Sequence, residues 1–579
     1  MKQQQTHKVS NFRLGVVTAA IVLSSAGLMY RAIDLHVFSK DFLQNQGDAR
    51  YLRTQTITAH RGMITDRNGE PLAISTPVDS VWVQPETFAE AFTEWPKLAR
   101  LLKLDLAKMK RTISARNKRE FIYLKRHINP TLAKKVMGLK IPGVSLQREY
   151  QRYYPAGEVM AHIIGYTNVD DRGIEGLELA YNDLLGGING SKRVLKDRIG
   201  RVVRDVEQLK NPQPGNDLSL SLDRRLQYLA YRELKHAVQK ENAVSGSAVI
   251  LDIQSGEVLA MVNQPSYNPN NRSASKSSHR RNRAVTDLVE PGSTIKPFTM
   301  VAALESGRYT SNTMINTAPG RFKLGKAVIH DTRNYGRINV ATVLQKSSNV
   351  GASKIALNLA NDALWKVNER MGFGLSTGSG FPGEVDGLLT HTRQGRDIER
   401  ATLAYGYGMS VTPLQLARAY SVLGSNGILR PVSFIRNNEP VKGQRVISSK
   451  IAKQIKIMME KVVQSGGTGT KAQVAGYRVA GKTGTAKKAI AGGYSDDRYI
   501  SIFAGIAPAS KPRLAMVVVI NEPRAGVYYG GEVAGPVFSN VMSGSLRLLG
   551  VTPDDMKGTQ LNLASFIKTT DAAISGSRP

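Results

Sequence analysis

One short segment, residues 290–298, constrains the fold of this chain more than any other. It reads EPGSTIKPF and places Ser293 and Lys296 three positions apart. Pro291 and Gly292 break any preceding element, and a proline directly after the lysine is compatible with a helix only within its first turn. The segment therefore predicts the start of a helix. Residues three apart on a helix lie on the same face, so the two side chains are expected to meet.

A serine and a lysine in this arrangement form a useful chemical pair when they are shielded from water. Burial disfavours the ammonium form, so a buried Lys296 has a lowered pKa and can accept the hydroxyl proton of Ser293. One helical turn then supplies a nucleophile and a base. A Ser-x-x-Lys pattern alone is weak evidence, because a chain with 79 lysines and arginines contains such pairs on solvated helix faces by chance.

Two later segments carry the other groups of an acyl-transfer site. Ser347 and Asn349 lie between two helical patterns, where a second hydroxyl can relay a proton and a carboxamide can hold a peptide bond. Residues 482–485 read Lys-Thr-Gly-Thr and predict an edge strand that presents a cation, hydroxyls and a backbone N–H, which Gly484 opens to a ligand. The structural alternatives are a polar turn between helices and a charged edge strand that resists aggregation.

The ordered set Ser-x-x-Lys, Ser-x-Asn and Lys-Thr-Gly resembles the signature of penicillin-binding proteins and class A β-lactamases. The longer segments EPGSTIKP, KSSNVG, YGYG and KTGTAKK narrow the resemblance to class B penicillin-binding proteins. Within that class the chain is similar to the penicillin-binding protein 3 group, the septal D,D-transpeptidases of Gram-negative bacteria. The resemblance extends from the N-terminal apolar run to about residue 548.

The resemblance implies a reaction on peptidoglycan. Ser293 would attack the carbonyl of the penultimate D-alanine of a stem peptide, and Lys296 would accept its proton. Ser347 would relay that proton to the departing D-alanine, while Asn349 holds the donor peptide bond. An amine of a neighbouring stem peptide would then attack the acyl-enzyme, and β-lactams would leave a stalled ester on the same serine.

The resemblance also implies the remaining contacts of the substrate. Backbone N–H groups of Ser293 and Thr485 would form the oxyanion hole. The terminal carboxylate would bind the edge strand through Lys482, Thr483, Gly484 and Thr485. Tyr528 and Tyr529 are candidates for lining the cleft, with a plain surface loop as the alternative. No metal and no organic cofactor is implied.

An apolar run from Leu14 to Tyr30 predicts a membrane anchor. Lys2, Lys8 and Arg13 precede it without any acidic residue, which predicts a cytoplasmic N-terminus and an exported, periplasmic catalytic domain at the inner membrane. A cleaved signal peptide is the alternative, with Ser24 and Ala26 as a loose cleavage site. The apolar pattern continues beyond that site and favours the anchor.

Turn residues near position 215 predict a domain boundary, and the resemblance implies the nature of the regions on either side of it. The predicted regions are a cytoplasmic tail (1–13), a transmembrane anchor (14–38), a non-catalytic pedestal of the dimerisation type (39–215), a transpeptidase domain (216–550) and a disordered tail (551–579). Strand-like and helical patterns in the fourth region predict an α+β fold, a five-stranded antiparallel sheet with helices on both faces. This is the penicilloyl serine transferase fold that the resemblance implies.

Several other functions compete with this prediction. A formal net charge of +33 suits nucleic acid, but also an acidic wall polymer or anionic lipid, and no nucleic-acid-binding motif accompanies it. A class A β-lactamase is far shorter and has no anchor, and a β-lactam sensor needs several membrane helices. Two alternatives remain open: D,D-carboxypeptidase activity on the same substrate, and a paralogue of the septal enzyme used under special conditions.

The resemblance also predicts partners. It implies an enzyme without its own glycosyltransferase domain, which would work with a polytopic membrane glycosyltransferase and other division proteins. The anchor and pedestal would make those contacts. The chain contains no cysteine and therefore no disulfides.

Overall fold

The computed structural model describes residues 11–42, 52–117, 119–196, 202–391, 396–439, 441–490 and 492–555. The chain forms two compact units that alternate along the sequence. The first contains the residues up to His60, Pro77–Gln151 and Gly187–Pro214, and the second contains Arg61–Thr76, Arg152–Gly186 and all residues from Gly215. The predicted division near residue 215 matches the last of these changes, whereas the two earlier segments of the second unit have no counterpart in the predicted limits.

Residues 1–10 and 556–579, which make up most of the two predicted tails, lie outside the described residues. The charged block at 197–201 also lies outside them. In the described part of the chain, one helix is long and apolar enough to cross a membrane. It runs from Asn11 to Ile33 and continues as a π-helix over Asp34–Phe38, with no buried residue in either segment. A signal sequence would have the same length and composition.

The rest of the first unit combines two sheets with short helices. Strands Leu52–Ile57, Gly190–Lys196 and Val202–Lys210 form an antiparallel sheet with Gly190–Lys196 in the middle. The end of strand Pro71–Val83 pairs with Ile122–Ile128 and Val144–Tyr153. The helices are Pro85–Glu90, Trp95–Leu102, Leu106–Ser114 and Pro130–Gly138. They enclose a core in which Trp95 stacks on Phe88 at a centroid distance of 4.9 Å.

The second unit is built on a five-stranded antiparallel sheet, as predicted. Its strands in chain order are β1 (Ser245–Asp252), β2 (Val258–Gln264), β3 (Ala480–Ile490), β4 (Gly493–Ala507) and β5 (Leu514–Asn521). They are arranged spatially as β2-β1-β5-β4-β3, so β3 is an edge strand. β1 and β5 are continuous apolar runs because both faces of the sheet are covered.

Helices cover the two faces in separate layers. Helix α1 (Arg224–Lys240) and helix α7 (Gly530–Leu548) pack on the face to which Ala248 and Ile250 contribute. The alternate residues Val249 and Leu251 face the larger core, which contains α2 (Lys296–Glu305), α3 (Val340–Lys346), α4 (Asn349–Leu357), α5 (Pro413–Gly424) and α6 (Ser449–Val463). This alternation follows from the two-residue period of a strand. The predicted α+β fold is thereby confirmed.

Smaller elements complete the second unit. The other helices are Ala161–Ile164, Gly176–Ala180, Asn182–Leu185, Arg283–Thr286, Ala363–Arg370 and Asp397–Leu403. The other strands are Ile64–Thr65, Tyr166–Thr167, Gly173–Glu175, Leu218–Ser219, Met314–Asn316, Arg321–Leu324, Ala327–His330, Arg337–Asn339, Leu388–Leu389, Met409–Ser410, Ile428–Leu429 and Gln444–Arg445.

Candidate active site

The segment around Ser293 begins with a 3-10 turn over Gly292–Ile295, which leads directly into helix α2. Ser293 therefore lies in the turn, and Lys296 is the first residue of the α-helix. The predicted helix start is confirmed, with the difference that the tighter turn precedes it. The hydroxyl of Tyr420 donates to the Thr294 carbonyl at 2.7 Å and fixes this turn from the helical core.

Lys296 is fully buried and lies beside Ser293. Its Nζ is 3.0 Å from Ser293 Oγ, 2.5 Å from the Ser347 carbonyl oxygen and 2.7 Å from Asn349 Oδ1. Burial lowers the pKa of Lys296 to about 7, against the opposing effect of the Asp331 carboxylate. A neutral amine has two N–H groups, and the two shortest contacts take them up. Its lone pair is then available to the serine hydroxyl.

Ser347 and Asn349 are positioned by the junction of two helices, as the sequence predicted. Ser347 ends α3 in the left-handed conformation at φ +61°, and Ser348 caps α4 by accepting from the Gly351 N–H at 2.8 Å. Asn349 Nδ2 donates to the His330 carbonyl at 3.1 Å. Both ends of this carboxamide therefore have protein partners, and one of the two Nδ2 hydrogens has none among the described residues.

Asp331 holds this junction and was not identified from the sequence. Its carboxylate accepts from the Ser348 hydroxyl and the Asn349 N–H, each at 2.6 Å, and from the Val350 N–H at 3.0 Å. These are the free donors at the start of a helix, which need an acceptor. No local sequence pattern around residue 331 indicates this role, because the capping carboxylate lies in a turn outside the helix that it caps.

Lys482 approaches the hydroxyl of Ser347 from the edge strand β3. Its Nζ is 2.9 Å from Ser347 Oγ, while that of Lys296 is 3.2 Å away. Lys482 is fully buried, and burial together with the neighbouring charge of Lys296 places its pKa well below the usual value. Ser347 Oγ is therefore the point at which two water-shielded amines converge.

The residues after Lys482 face two directions. Thr483 Oγ1 lies 2.8 Å from Thr468 Oγ1, and Thr485 Oγ1 accepts from the Gly530 N–H at 3.0 Å. A Cβ on Gly484 would lie 2.8 Å from Thr294 Cγ2 and 3.0 Å from the Pro291 carbonyl oxygen. The missing side chain thus makes room for the Ser293 turn, and the contact of this glycine with a ligand remains a prediction.

Aromatic residues lie on both sides of this strand. Tyr528 stacks on Tyr499 at 3.9 Å and lies 4.7 Å from Tyr529, which is half-exposed. Glu290 accepts from the Tyr494 hydroxyl at 2.9 Å, a contact that no local sequence pattern predicts. Burial raises the pKa of Glu290.

The described residues contain no group of three or more histidine, cysteine, aspartate and glutamate side chains that could hold a metal ion.

Two family models match the chain. The penicillin-binding protein transpeptidase domain matches residues 246–543, and the penicillin-binding protein dimerisation domain matches residues 56–220. The chain is 46% identical to the peptidoglycan D,D-transpeptidase FtsI of Escherichia coli over 559 residues, which cover 96% of this chain and 95% of the relative. It is 42% identical to the probable peptidoglycan D,D-transpeptidase PbpC of Pseudomonas aeruginosa, over 94% of this chain and 97% of the relative.

Solved structures agree with these matches. The transpeptidase domain of penicillin-binding protein 3 from Burkholderia pseudomallei is 42% identical, with a TM-score of 0.54, and the match covers 58% of this chain and 97% of that one. A peptidoglycan synthetase from Bifidobacterium adolescentis is 26% identical with a TM-score of 0.68, over 87% of this chain and 98% of that one. The match to both family models and the near full-length identity lead to one conclusion: the chain belongs to the class B penicillin-binding proteins.

Proposed function

We propose that this protein is a peptidoglycan D,D-transpeptidase that cross-links stem peptides at the division septum through an acyl-enzyme on Ser293. The observation that carries the proposal is the fully buried Lys296, whose Nζ lies 3.0 Å from Ser293 Oγ. With a pKa of about 7, a substantial fraction of this amine is neutral near neutral pH and able to act as a base.

Acylation follows from this geometry. Lys296 accepts the hydroxyl proton while Ser293 Oγ bonds to the carbonyl carbon of the penultimate D-alanine. The tetrahedral oxyanion is stabilised by the backbone N–H groups of Ser293 and Thr485. As the C–N bond breaks, the departing D-alanine takes a proton from the Ser347 hydroxyl, which recovers one from Lys296 at 3.2 Å. Lys482, at 2.9 Å from the same oxygen, stabilises the alkoxide character that develops there.

The edge strand β3 presents groups that would bind the terminal carboxylate of the substrate. Thr485 Oγ1 accepts the N–H of Gly530, so its own hydroxyl hydrogen is oriented to donate to a ligand. Thr483 shares a hydrogen bond with Thr468 and supplies a second hydroxyl. Two hydroxyls beside the charge of Lys482 form a site for a carboxylate. Tyr528 and Tyr529 follow directly in the chain before Gly530 and are proposed to line this end of the cleft.

Covalent labelling tests the acyl-enzyme. The full-length protein in detergent is treated with a fluorescent penicillin, and Ser293→Ala is compared with Ser306→Ala, a serine just beyond the other end of helix α2. We expect stable labelling of the wild type and of Ser306→Ala, and none of Ser293→Ala. Equal labelling of both variants would place the nucleophile elsewhere and would refute the proposal.

The acceptor is tested on stem peptides. Mass spectrometry of the products from a pentapeptide donor and an amine acceptor separates cross-linked dimer from the tetrapeptide released by water. We expect the dimer to dominate. Release of tetrapeptide alone would assign the chain as a D,D-carboxypeptidase, which uses the same acyl-enzyme.

The N-terminal helix supports a single-pass protein with a cytoplasmic N-terminus and a periplasmic catalytic domain. Arg13 and the two lysines before it, without any acidic residue, favour this orientation. An alkaline phosphatase fusion after residue 60 is expected to be active, and a fusion at residue 10 inactive. The reverse pattern would refute the orientation.

We further propose that the anchor and pedestal bind a polytopic membrane glycosyltransferase and other division proteins. Removing everything before residue 216 would also remove 61–76 and 152–186, which belong to the second unit. Exchanging only residues 11–42 for an unrelated anchor avoids this problem. We expect penicillin labelling to persist and recruitment to the septum to fall. A paralogue used under special conditions would instead leave septation unchanged when the chain is deleted under ordinary growth.

A further inference from the structure

We propose that a basic cavity in the second unit, apart from the reactive serine and both lysines beside it, is a binding site for a compact phosphoryl anion of about the size of pyrophosphate. The cavity has a volume of about 440 Å³. It is lined by the end of helix α5, one side of helix α6 and the turn between β4 and β5. Its charged side chains are Arg430, Lys453, Lys456, Arg478, Lys511 and Glu460.

Lys456 is the central feature of this cavity, because it is buried and its hydrogen-bond partner is neutral. Only 6% of its surface is exposed, and its Nζ donates to the neutral Asn426 Oδ1 at 3.1 Å. Within the described residues it forms no ion pair. Burial, with a smaller contribution from Lys453, lowers the pKa of Lys456, against the opposing effect of the Glu460 carboxylate. Because Glu460 is also paired with Arg478, it compensates this buried charge only in part, and an anion in the cavity would add to that compensation.

Other donors of the cavity also have capacity for a ligand. Arg430 donates through one terminal nitrogen to the Ile253 carbonyl at 3.1 Å, while its buried Nε has no partner in the described chain. Among the described residues, Lys453 and Lys511 form neither a hydrogen bond nor an ion pair with the protein. Arg430, Lys453 and Lys511 therefore provide hydrogen-bond donors around the cavity that the described chain does not use.

The acidic groups nearby are already engaged. Glu460 accepts a two-point contact from Arg478 at 2.9 and 3.0 Å. Asp252 pairs with Arg513 at 2.8 Å, and Asp554 accepts from the backbone N–H groups of Arg478 and Ser510. Pairing Glu460 with Arg478 leaves the positive charges of Arg430, Lys453, Lys456 and Lys511 facing the cavity.

The types of free donor favour a phosphoryl group over a carboxylate. The planar fork of arginine matches a carboxylate in two parallel hydrogen bonds, and that of Arg478 is occupied by Glu460. What remains is mainly lysine ammonium, a compact charge that binds tetrahedral phosphate oxygens from several directions. A ligand with two phosphoryl groups would place its charges near Lys456 and near the cavity rim at Lys453.

Calorimetric titration of the full-length protein in detergent, at constant ionic strength, tests this site with sodium pyrophosphate. We expect saturable binding by the wild type. In Lys456→Gln and Lys453→Gln we expect the affinity for pyrophosphate to be lower by about tenfold or more. Lys450→Gln is the matched control, since this exposed lysine lies on the same helix outside the cavity and should leave the affinity unchanged. Penicillin labelling should be equal in all four proteins, which verifies that the variants are folded.

Two outcomes would overturn the proposal. Equal affinity in the wild type and all three variants would mean that pyrophosphate acts as a general counterion to a basic protein. Tighter binding of the tricarboxylate tricarballylate than of pyrophosphate would assign the cavity to a polycarboxylate instead. Because Lys453 is exposed, Lys453→Gln keeps the test valid even if Lys456→Gln fails to fold.

Discussion

Two clusters of buried basic side chains lie in the second unit, and they are built in opposite ways. In one, Arg61 and Arg152 surround the carboxylate of Glu178, with side chains that are 3%, 1% and 0% exposed. Both guanidiniums contact that carboxylate through Nε, at 2.8 and 2.6 Å. In the other, Lys296 and Lys482 meet at the hydroxyl of Ser347, and no carboxylate of the described residues is in hydrogen-bonding contact with either amine.

The difference separates a structural use of buried charge from a reactive one. An arginine stays protonated in a protein, so burying it requires a counter-ion, and Glu178 supplies one. A lysine can release its proton, so burying it without a counter-ion favours the neutral amine. The first cluster therefore stabilises the fold only as long as it stays complete. In the second cluster no counter-ion of the described chain neutralises the lysines, so the neutral amines are favoured and can accept a proton. Four variants test this distinction.

The largest effect is expected at the proposed base. Lys296→Met removes the proton acceptor and should slow acylation by penicillin about 10²- to 10⁴-fold. Because no counter-ion is lost, the free energy of unfolding should be unchanged or raised. Stopped-flow labelling and chemical denaturation measure the two quantities. Lys366→Met, a surface lysine paired with Asp362, is the control. Fast acylation by Lys296→Met would show that another group accepts the proton.

Glu178→Gln should have the opposite profile. It leaves two buried guanidiniums without their carboxylate and should lower the free energy of unfolding by about 3–5 kcal/mol. Molecules that remain folded should still acylate. Chemical denaturation followed by fluorescence measures the loss. Glu158→Gln removes an exposed partner of Lys235, at 3.1 Å, and should cost less than about 1 kcal/mol. Similar losses in the two variants would contradict the assigned importance of the buried cluster.

Asp331→Asn tests the support of the reactive cluster. The substitution keeps the shape but removes a charged acceptor from the start of helix α4. Hydrogen bonds to charged groups contribute about 1.5–3 kcal/mol, and a loss in this range is expected. Acylation should also slow, because Asn349 and Ser347 lose their common support. Asp362→Asn, which removes one partner of a surface pair, is the control. Unchanged stability in Asp331→Asn would show that the junction is held by packing alone.

The sequence predicted those parts of the molecule that leave a local pattern. The strands β1 and β5 contain continuous apolar runs, and they are the two strands of the predicted sheet that lie next to each other at its centre. The spacing of Ser293 and Lys296 likewise placed both on one turn. Local propensity and periodicity suffice for such features.

Other features depend on contacts between distant segments and left no such pattern. Arg61 and Glu178 lie 117 residues apart, in short segments whose membership in the second unit is set by their pairing. Asp331 caps a helix from a turn outside it. The close approach of Gly484 to Thr294 also needs the folded chain to be seen. The motif residues were predictable individually, whereas the convergence of two amines on Ser347 Oγ was not.

The smallest effect concerns a buried group that is held neutral without being reactive. His162 is buried, its ring nitrogen lies 2.8 Å from the His279 carbonyl oxygen, and the positive charges around it are Arg283 and His279. Burial lowers its pKa to about 4. Between pH 6.5 and 4 the unfolded chain therefore binds a proton that the folded chain rejects, so stability decreases as the pH falls through this range.

This loss should be about 1 kcal/mol between pH 6.5 and 5.5, and His162→Gln should abolish it. Asp171 changes the pH dependence of stability in the opposite direction, because burial raises its pKa to about 6. Its contribution is the same in the wild type and in His162→Gln, so it cancels when the difference between the two proteins is taken. Denaturation at the two pH values measures that difference. Identical pH dependence in the two proteins would show that His162 takes up its proton while folded. The expected result would instead separate burial from reactivity: both residues are buried and both contact a backbone carbonyl, but Lys296 also contacts the hydroxyl of Ser293.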